Sequence, residues 1–523
     1  MGDVHHKDLA DALERATKVA PRGVVKSAKV RRADRELLLR AGYLQDIVKG
    51  WYFLVRPGTA GGESTAWYAS FWSFVATYLG ERFADDYCLS AVASLELHVG
   101  AVTVPSQVVA MTAHGGKTLL NLPHATSVLV YQDARGLPSD VETLDGVRVM
   151  PLARALCRLP PAYFHAQPIN AELALRAMGD PSALVRIILE ERSPTLAGRF
   201  VGAYTFIGDD STAQEIVAAT RSLGLAYRPE NPFNRPQPAL AAGPRILSAS
   251  AGRIQALFRA MSKPVAAVFK GVKPRPVRDV DLCLRRIDNV YVNDAYNSLS
   301  IEGYQVSPEL IQRIREGQWA PDMDPSDRGA RDAMAAKGYL DAFRRVRSCI
   351  RDVMKGADAS AVARVEYQNW YRALFSESVK AGLLDAHRLA GHRNGPVYIR
   401  NSKHVPPRAT VVADCMEALF DCLQAEKNPV VRGVLGHFFM GFIHPYFDGN
   451  GRSARFLMNF FLSSAGYTWT IVRNERRDAY LAALERASVH GEIEPFARFL
   501  REEMAVDWRL AAGKGTRRRA SRR

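Results

Sequence analysis

The sequence predicts a multidomain α+β protein whose C-terminal half is helical. Three observations carry this. At roughly 100–200 residues per domain, 523 residues divide into about three units. The texture changes along the chain, from helices with one hairpin, through short β-rich runs, to sustained helical spacing beyond residue 280. Proline is dense at 227–244 and again at 263–279, which marks a joint.

In chain order, "KDLADALERATKVA" repeats apolar residues at helical spacing, and "DRELLLRAGYL" does the same with Asp34 as its expected N-cap. "YLQDIVKGWYFLVRP" alternates and turns at Lys49-Gly50, the mark of a hairpin. Helices followed by a hairpin form a winged-helix pattern over residues 1–62, closed by the linker "RPGTAGGEST". Residues 63–225 read as a mixed α/β domain, with "SQVVAMTA", "KTLLNL" and "TSVLVY" as strands and "DGVRVMPLARALCRL" as strand then helix. Residues 226–279 are expected as a proline-rich linker and 280–505 as an all-α core. "GPVYIRNSKHVPP" interrupts that core as a β-turn or hairpin, and 506–523 form a basic, disordered tail.

The net charge of +16, with a pI near 9.6, favours anionic partners without naming one. Six cysteines lie scattered, none in CxxC spacing, as expected for reduced thiols. "MGDVHHKDLADALERA" lacks the basic-then-apolar order of a leader, and runs such as "VLGHFFMGFI" are too short to cross a bilayer. A cytoplasmic protein without a membrane partner is expected.

The densest chemistry is "HPYFDGNGRSAR" at 444–455. A helix should end at His444-Pro445, because a residue before proline is pushed out of the helical region. Another should begin at about Gly451, so "DGNG" feeds a helix N-terminus, where unpaired N–H groups and the helix dipole attract anions. Gly449 and Gly451 let the backbone curl around a phosphate, and Arg452 and Arg455 share one side of the first turn. Asp448 is a hard oxygen ligand suited to magnesium, and His444 is a base that is neutral near pH 7. Together they describe phosphoryl or nucleotidyl transfer. Upstream, "NSLSIEGY" sets Ser298 and Glu302 one helical turn apart, with Gly303 as a natural stop.

This stretch resembles the signature of Fic-domain enzymes, H-x-F-x-[D/E]-G-N-G-R-x-x-R, with Tyr446 where phenylalanine is usual. The resemblance runs from about residue 285 to 503 and includes "RFLMNFFLSSAGY" and "GEIEPFARFLREEM". It implies AMP transfer from ATP to a Ser, Thr or Tyr hydroxyl of a protein, with His444 as base. Asp448 would hold Mg²⁺. Gly449, Asn450 (backbone and side chain) and Gly451 would form the anion cradle, continued by Ser453 and Ala454, with Arg452 and Arg455 on the outer phosphates. "VYIRNSKHVPP", with Val397, Tyr398, Ile399, Arg400 and His404, is similar to the family's target-aligning flap. Tyr480 stands where the family often has an aromatic near the base, while Leu481 and Ser488 depart from residues some members use. Ser298, Glu302 and Gly303 match the inhibitory motif [S/T]-x-x-x-E-[G/N], which implies that Glu302 pairs with Arg455 in place of the γ-phosphate. The inhibitory helix is expected over 285–303.

"LLLRAGYLQDIVKGWYFLV" resembles the N-terminal domain of abortive-infection type IV antitoxins, and "TLDGVRVMPLARAL" the domain that follows there. Lys26, Lys29, Arg31, Arg32, Arg35 and Lys49 would then offer contacts to DNA phosphates. Candidate partners are a hydroxyl-bearing protein target, DNA and a second copy of the chain. The alternative is a DNA-binding, antitoxin-like regulator whose core mainly self-modifies or senses nucleotide. Transfer of another nucleotide, and removal of AMP by water placed by Glu302, remain open within the enzyme reading.

Overall fold

A computed structural model describes residues 2–20, 23–55, 64–233, 235, 237–238, 248–276, 279–318 and 331–520. Two compact units result: Met1–Ala249 with Tyr398–Val405, and Ser250–Val397 with Pro406–Arg523.

In the first unit, helix Gly2–Lys18 is followed by strand Val24–Lys26, helix Arg32–Arg40 and the hairpin Leu44–Val48/Trp51–Leu54. The hairpin turns at Lys49-Gly50 as expected, with Gly50 at φ 84°. Its second strand lies between the other two in an antiparallel sheet. Asp34 is not the N-cap: Arg31 holds that position, and Asp34 sits inside the first turn. There it accepts two hydrogen bonds from Arg15, at 2.8 and 2.9 Å, a bidentate pair stronger than a cap contact.

The linker expected after residue 55 falls largely on 56–63, outside the described residues. The two modules it was meant to separate share one apolar core, in which Val24, Trp51 and Phe53 join Trp67, Phe71, Phe74, Val108 and Val128. Helix Thr65–Phe83 carries Glu81, which accepts from both Lys26 and Lys29, and Arg32 pairs with Glu36 at 2.7 Å. Three of the six expected DNA-facing cations thus have carboxylate partners within the unit, with Lys26 and Lys29 sharing one.

The middle sheet orders its strands Cys88–Leu89, Gln107–Thr112, Thr126–Gln132, Thr118–Leu122, with the central pair parallel. Strand Val147–Val149 then leads into helix Leu152–Arg158, as the sequence suggests. Further helices run to Ser222. Residues 226–279 are not simply a linker: Glu230 donates to the Gly198 carbonyl, Phe233 packs on Phe164 and Phe206, and Ala249–Val268 is a 20-residue helix.

The expected flap hairpin does not form. Ser402 N–H closes a turn onto the Ile399 carbonyl with Asn401 at φ 56°, and among the described residues the β pairing there is an isolated bridge between His404 and Thr103. Two backbone bonds flank it, Val104 N–H to Lys403 O at 3.0 Å and Val405 N–H to Val102 O at 2.6 Å. Pro406 and Pro407 carry no N–H to extend a ladder.

Among its described residues the second unit is mainly helical, from Ala249–Val268 to Glu494–Ala520. The last helix runs through most of the segment expected as a disordered tail. Helices Pro429–Ile443 and Asn450–Ser464 pack closely because a Cβ at Gly433 would already lie 3.2 Å from the Met458 carbonyl. Phe438, Ile443, Phe456, Leu457 and Phe460 fill the centre. Among the described residues no helix is long and apolar enough to cross a membrane, and the cysteines are unpaired.

Candidate active site

The turn after Ile443 is shaped by what its neighbours cannot leave unpaired. His444 is in the left-handed region, φ 53° and ψ 60°, rather than in the extended conformation expected before proline. Arg393, 4% exposed, secures that unusual backbone: its N–H donates to the Pro445 carbonyl and its Nε to the His444 carbonyl, both at 2.8 Å. Its remaining nitrogens reach the Gly395 and Pro407 carbonyls. The Asn450 side chain accepts from Tyr446 N–H at 3.0 Å and donates to the Tyr446 carbonyl at 2.8 Å. These two bonds close the loop and leave one Nδ2 hydrogen uncommitted. The Tyr446 ring stacks on Tyr371 at 3.5 Å, but its hydroxyl, expected to need a partner, has none among the described residues.

His444 lies within 3.2 Å of the Gly441 carbonyl through Nδ1. A carbonyl only accepts, so Nδ1 carries the proton and the Nε2 lone pair stays free. Burial brings the imidazole down to about 4, despite the opposing Gly441 bond. The ring is therefore neutral at pH 7 and able to take a proton.

Helix Asn450–Ser464 starts directly after Gly449, whose φ of 80° suits glycine; a Cβ there would come within 2.8 Å of the Phe375 ring. Two guanidiniums occupy the first turn. Arg452 is 1% exposed, between the Tyr304 and Phe375 rings at 5.2 and 5.0 Å. Its nearest carboxylate is Asp448 at 3.3 Å, and its Nε and Nη2 make no hydrogen bond. Arg455 Nη1 and Ser453 Oγ are likewise buried without partners. Charged donors and backbone N–H groups converging at one helix N-terminus are the donor set a polyphosphate requires.

A carboxylate from the chain reaches the same place. Helix Tyr291–Ile301 ends in a Schellman turn, with Tyr304 N–H on the Leu299 carbonyl and Gly303 at φ 86°. Glu302 then accepts from Arg455 Nη2 at 2.6 Å, while Arg455 Nε reaches Ser298 Oγ at 2.8 Å. A Cβ at Gly451 would collide with the Glu302 carboxylate, which thus lies against the helix start. Burial works to raise the Glu302 carboxyl, and Arg455 and Arg452 outweigh it, so the group stays ionised.

Asp448 is the single carboxylate among the expected site residues of the motif, and its side chain is 57% exposed. No cluster of three or more His, Cys, Asp or Glu side chains suited to a metal occurs among the described residues. Asp448 therefore fits a cation held jointly with phosphate oxygens, not a cage built by protein alone. A cleft of about 380 Å³, lined by Tyr304, Phe375, Phe447, Asp448 and Arg452, opens beside it.

Tyr480 is buried at 3% and hydrogen-bonds His437 Nε2 at 2.8 Å. Val397 stays in the second unit, whereas Tyr398, Ile399, Arg400 and His404 belong to the first. Sequence reasoning missed Arg393, Phe375 and Tyr304; only the "GHRNGP" position of Arg393 near the flap offered a hint.

Residues 362–462 match the Fic/DOC family model, so the chain carries a Fic domain. The chain is similar to proteins named Protein adenylyltransferase Fic: 37% identical over 234 residues to that of Nematostella vectensis, covering 44% of this chain and 51% of the relative. With that of Drosophila willistoni it is 36% identical over 239 residues, covering 43% and 42%. A solved structure of Fic-1 from C. elegans aligns at 19% identity and TM-score 0.37, covering 67% of this chain and 99% of that one. The chain spans about half the length of the curated relatives it matches.

Proposed function

We propose that the protein transfers AMP from ATP to a Ser, Thr or Tyr hydroxyl of a protein target and is held inactive by Glu302. The observation that carries this is the pair of buried guanidiniums, Arg452 and Arg455, with unbonded N–H groups at the start of the helix that follows a neutral His444.

In this reading the first turn of Asn450–Ser464 receives the phosphates. The backbone N–H groups of Asn450 and Gly451 and the two arginines bind their oxygens and hold the α-phosphorus open to in-line attack, while the Gly449 N–H donates to Asp448 at 2.6 Å. His444 Nε2 takes the proton of the target hydroxyl as its oxygen bonds to that phosphorus, and pyrophosphate leaves with the electrons of the broken P–O bond. The Arg393 contacts hold the His444 backbone in place throughout. Asp448 would hold a magnesium ion, which when bound neutralises phosphate charge. Glu302, on Arg455 and against Gly451, occupies space and charge that the outer phosphates need.

Labelled ATP tests the proposal. Glu302→Gly is expected to raise self-modification by about tenfold or more, equivalent to removing at least ~1.4 kcal/mol of inhibition. His444→Ala in that background should lower it by roughly 10²–10⁴. Equal labelling of the wild type and Glu302→Gly would reject the brake. Undiminished labelling with His444→Ala would reject the base.

A further inference from the structure

The inhibitory glutamate lies at the end of a helix that must itself be held in place. Helix Tyr291–Ile301 buries a second carboxylate two turns earlier, at Asp294, which is 3% exposed. The spacing 294, 298, 302 places Asp294, Ser298 and Glu302 along one stripe of the helical path. Among the described residues no arginine or lysine makes an ion pair with Asp294. Its hydrogen-bond partner is the Tyr339 hydroxyl, which donates to Oδ2 at 2.7 Å from helix Arg331–Met354, and the Trp469 indole stands beside it. Tyr339 is 1% exposed and its ring packs on Phe456 at 4.7 Å. Ser298, one turn on from Asp294, is held from the other side by Arg455 Nε at 2.8 Å.

Two buried hydrogen bonds hold this stripe. Arg455 Nε donates to Ser298 Oγ, because a guanidinium never accepts. The Tyr339 hydroxyl gives its proton to Asp294. Burial raises the Asp294 carboxyl to about 6, so at neutral pH it is still ionised and is a pure acceptor. Buried bonds of this kind are costly when one member is lost, because the remaining group faces an apolar surround unpaired.

We infer that Asp294 and Tyr339 are positioning residues for the brake: their buried hydrogen bond and the Arg455–Ser298 bond form a two-point relay that pins the inhibitory helix so that Glu302 can reach the guanidinium. The inference rests on the reading of Glu302 as an inhibitor. It adds that the brake is released by breaking contacts remote from its carboxylate. Asp294→Asn replaces the acceptor with a group that also donates, and Tyr339→Phe removes the hydroxyl while keeping the ring.

The test measures AMP incorporation from labelled ATP into the full chain, for Asp294→Asn and Tyr339→Phe, each with Glu302 present and with Glu302→Gly. With Glu302 present, either variant is expected to raise labelling severalfold toward the Glu302→Gly level. On the Glu302→Gly background neither should change it by more than about twofold, well under the tenfold that 1.4 kcal/mol represents. A gain that vanishes when the brake is absent is a pattern that general damage to the core would not produce. Restoring a carboxylate with Asp294→Glu should return labelling toward the wild-type level. If Glu302→Gly is active but both variants stay at the wild-type level, the relay is overturned and the brake survives. The relay is also overturned if they raise or lower labelling equally on both backgrounds. If Glu302→Gly itself gains nothing, the brake reading fails and the relay falls with it. Should Asp294→Asn not fold by circular dichroism, Tyr339→Phe decides, and Ser298→Ala, which removes a single hydroxyl, decides if neither folds.

Discussion

At the scale of a residue, His444 shows how burial keeps an imidazole neutral over a wide pH range. Its folded value, about 4, lies below the usual 6.5, so the neutral form is complete above the folded value and is lost only as pH falls through it. For Glu302→Gly, kcat/KM is therefore expected to hold down to about pH 5 and decline below, since that ratio reports the free enzyme. A decline centred near pH 6.5 would contradict the burial of the ring. Tyr446 makes a second residue-scale case. Its hydroxyl is buried without a partner while its ring is fully used in the Tyr371 stack. Tyr446→Phe should stabilise the protein by about 1 kcal/mol, since it removes an unsatisfied polar group and leaves the stack intact. A lower thermal midpoint in that variant would show that the hydroxyl has a partner after all.

At the scale of elements, what the sequence made legible was local. The motif loop and the end of helix Tyr291–Ile301 were readable because a Gly-Asn-Gly, a proline and a helix-stopping Gly303 act on their own neighbours. The Glu302–Arg455 contact spans 153 positions, and a recurring spacing alone could not have located it; the family resemblance did. Arg393 was not readable, because nothing local tells a surface arginine from one that caps four carbonyls across a fold. The flap was misread as a hairpin for a similar reason: the backbone partners of Lys403 and Val405 lie 300 residues earlier, at Val104 and Val102. Gly449 tests the element directly. A Cβ there faces both a positive φ and the Phe375 ring, so Gly449→Ala should cost at least ~1 kcal/mol and lower the thermal midpoint. An unchanged midpoint would mean the loop has room that the packing denies.

At the scale of the whole molecule, the sequence marked where texture changes but not where cores end. The boundary expected at residue 62 cuts through one continuous cluster, since Trp51 meets Phe74 at 5.8 Å and Phe53 meets Trp67 at 6.3 Å. Composition registers a glycine-rich stretch as a joint, yet apolar residues on both sides can still bury each other. Removal of residues 1–62 would uncover Trp67 and Phe74, and the shortened chain is expected to aggregate on size-exclusion chromatography. A monodisperse, cooperatively melting product would restore the separate N-terminal module. The helical half was easier to read because its apolar spacing persists across nearly every helix.

The claim on which these scales converge is that the turn after His444 presents the α-phosphate of ATP to a hydroxyl while Glu302 is absent. Intact-protein mass spectrometry of Glu302→Gly incubated with ATP and magnesium tests it most directly, with the His444→Ala double variant alongside. The account expects added mass equal to whole AMP units on the first protein and none on the second. No added mass on a folded Glu302→Gly protein, or the mass of a phosphate alone, would contradict it.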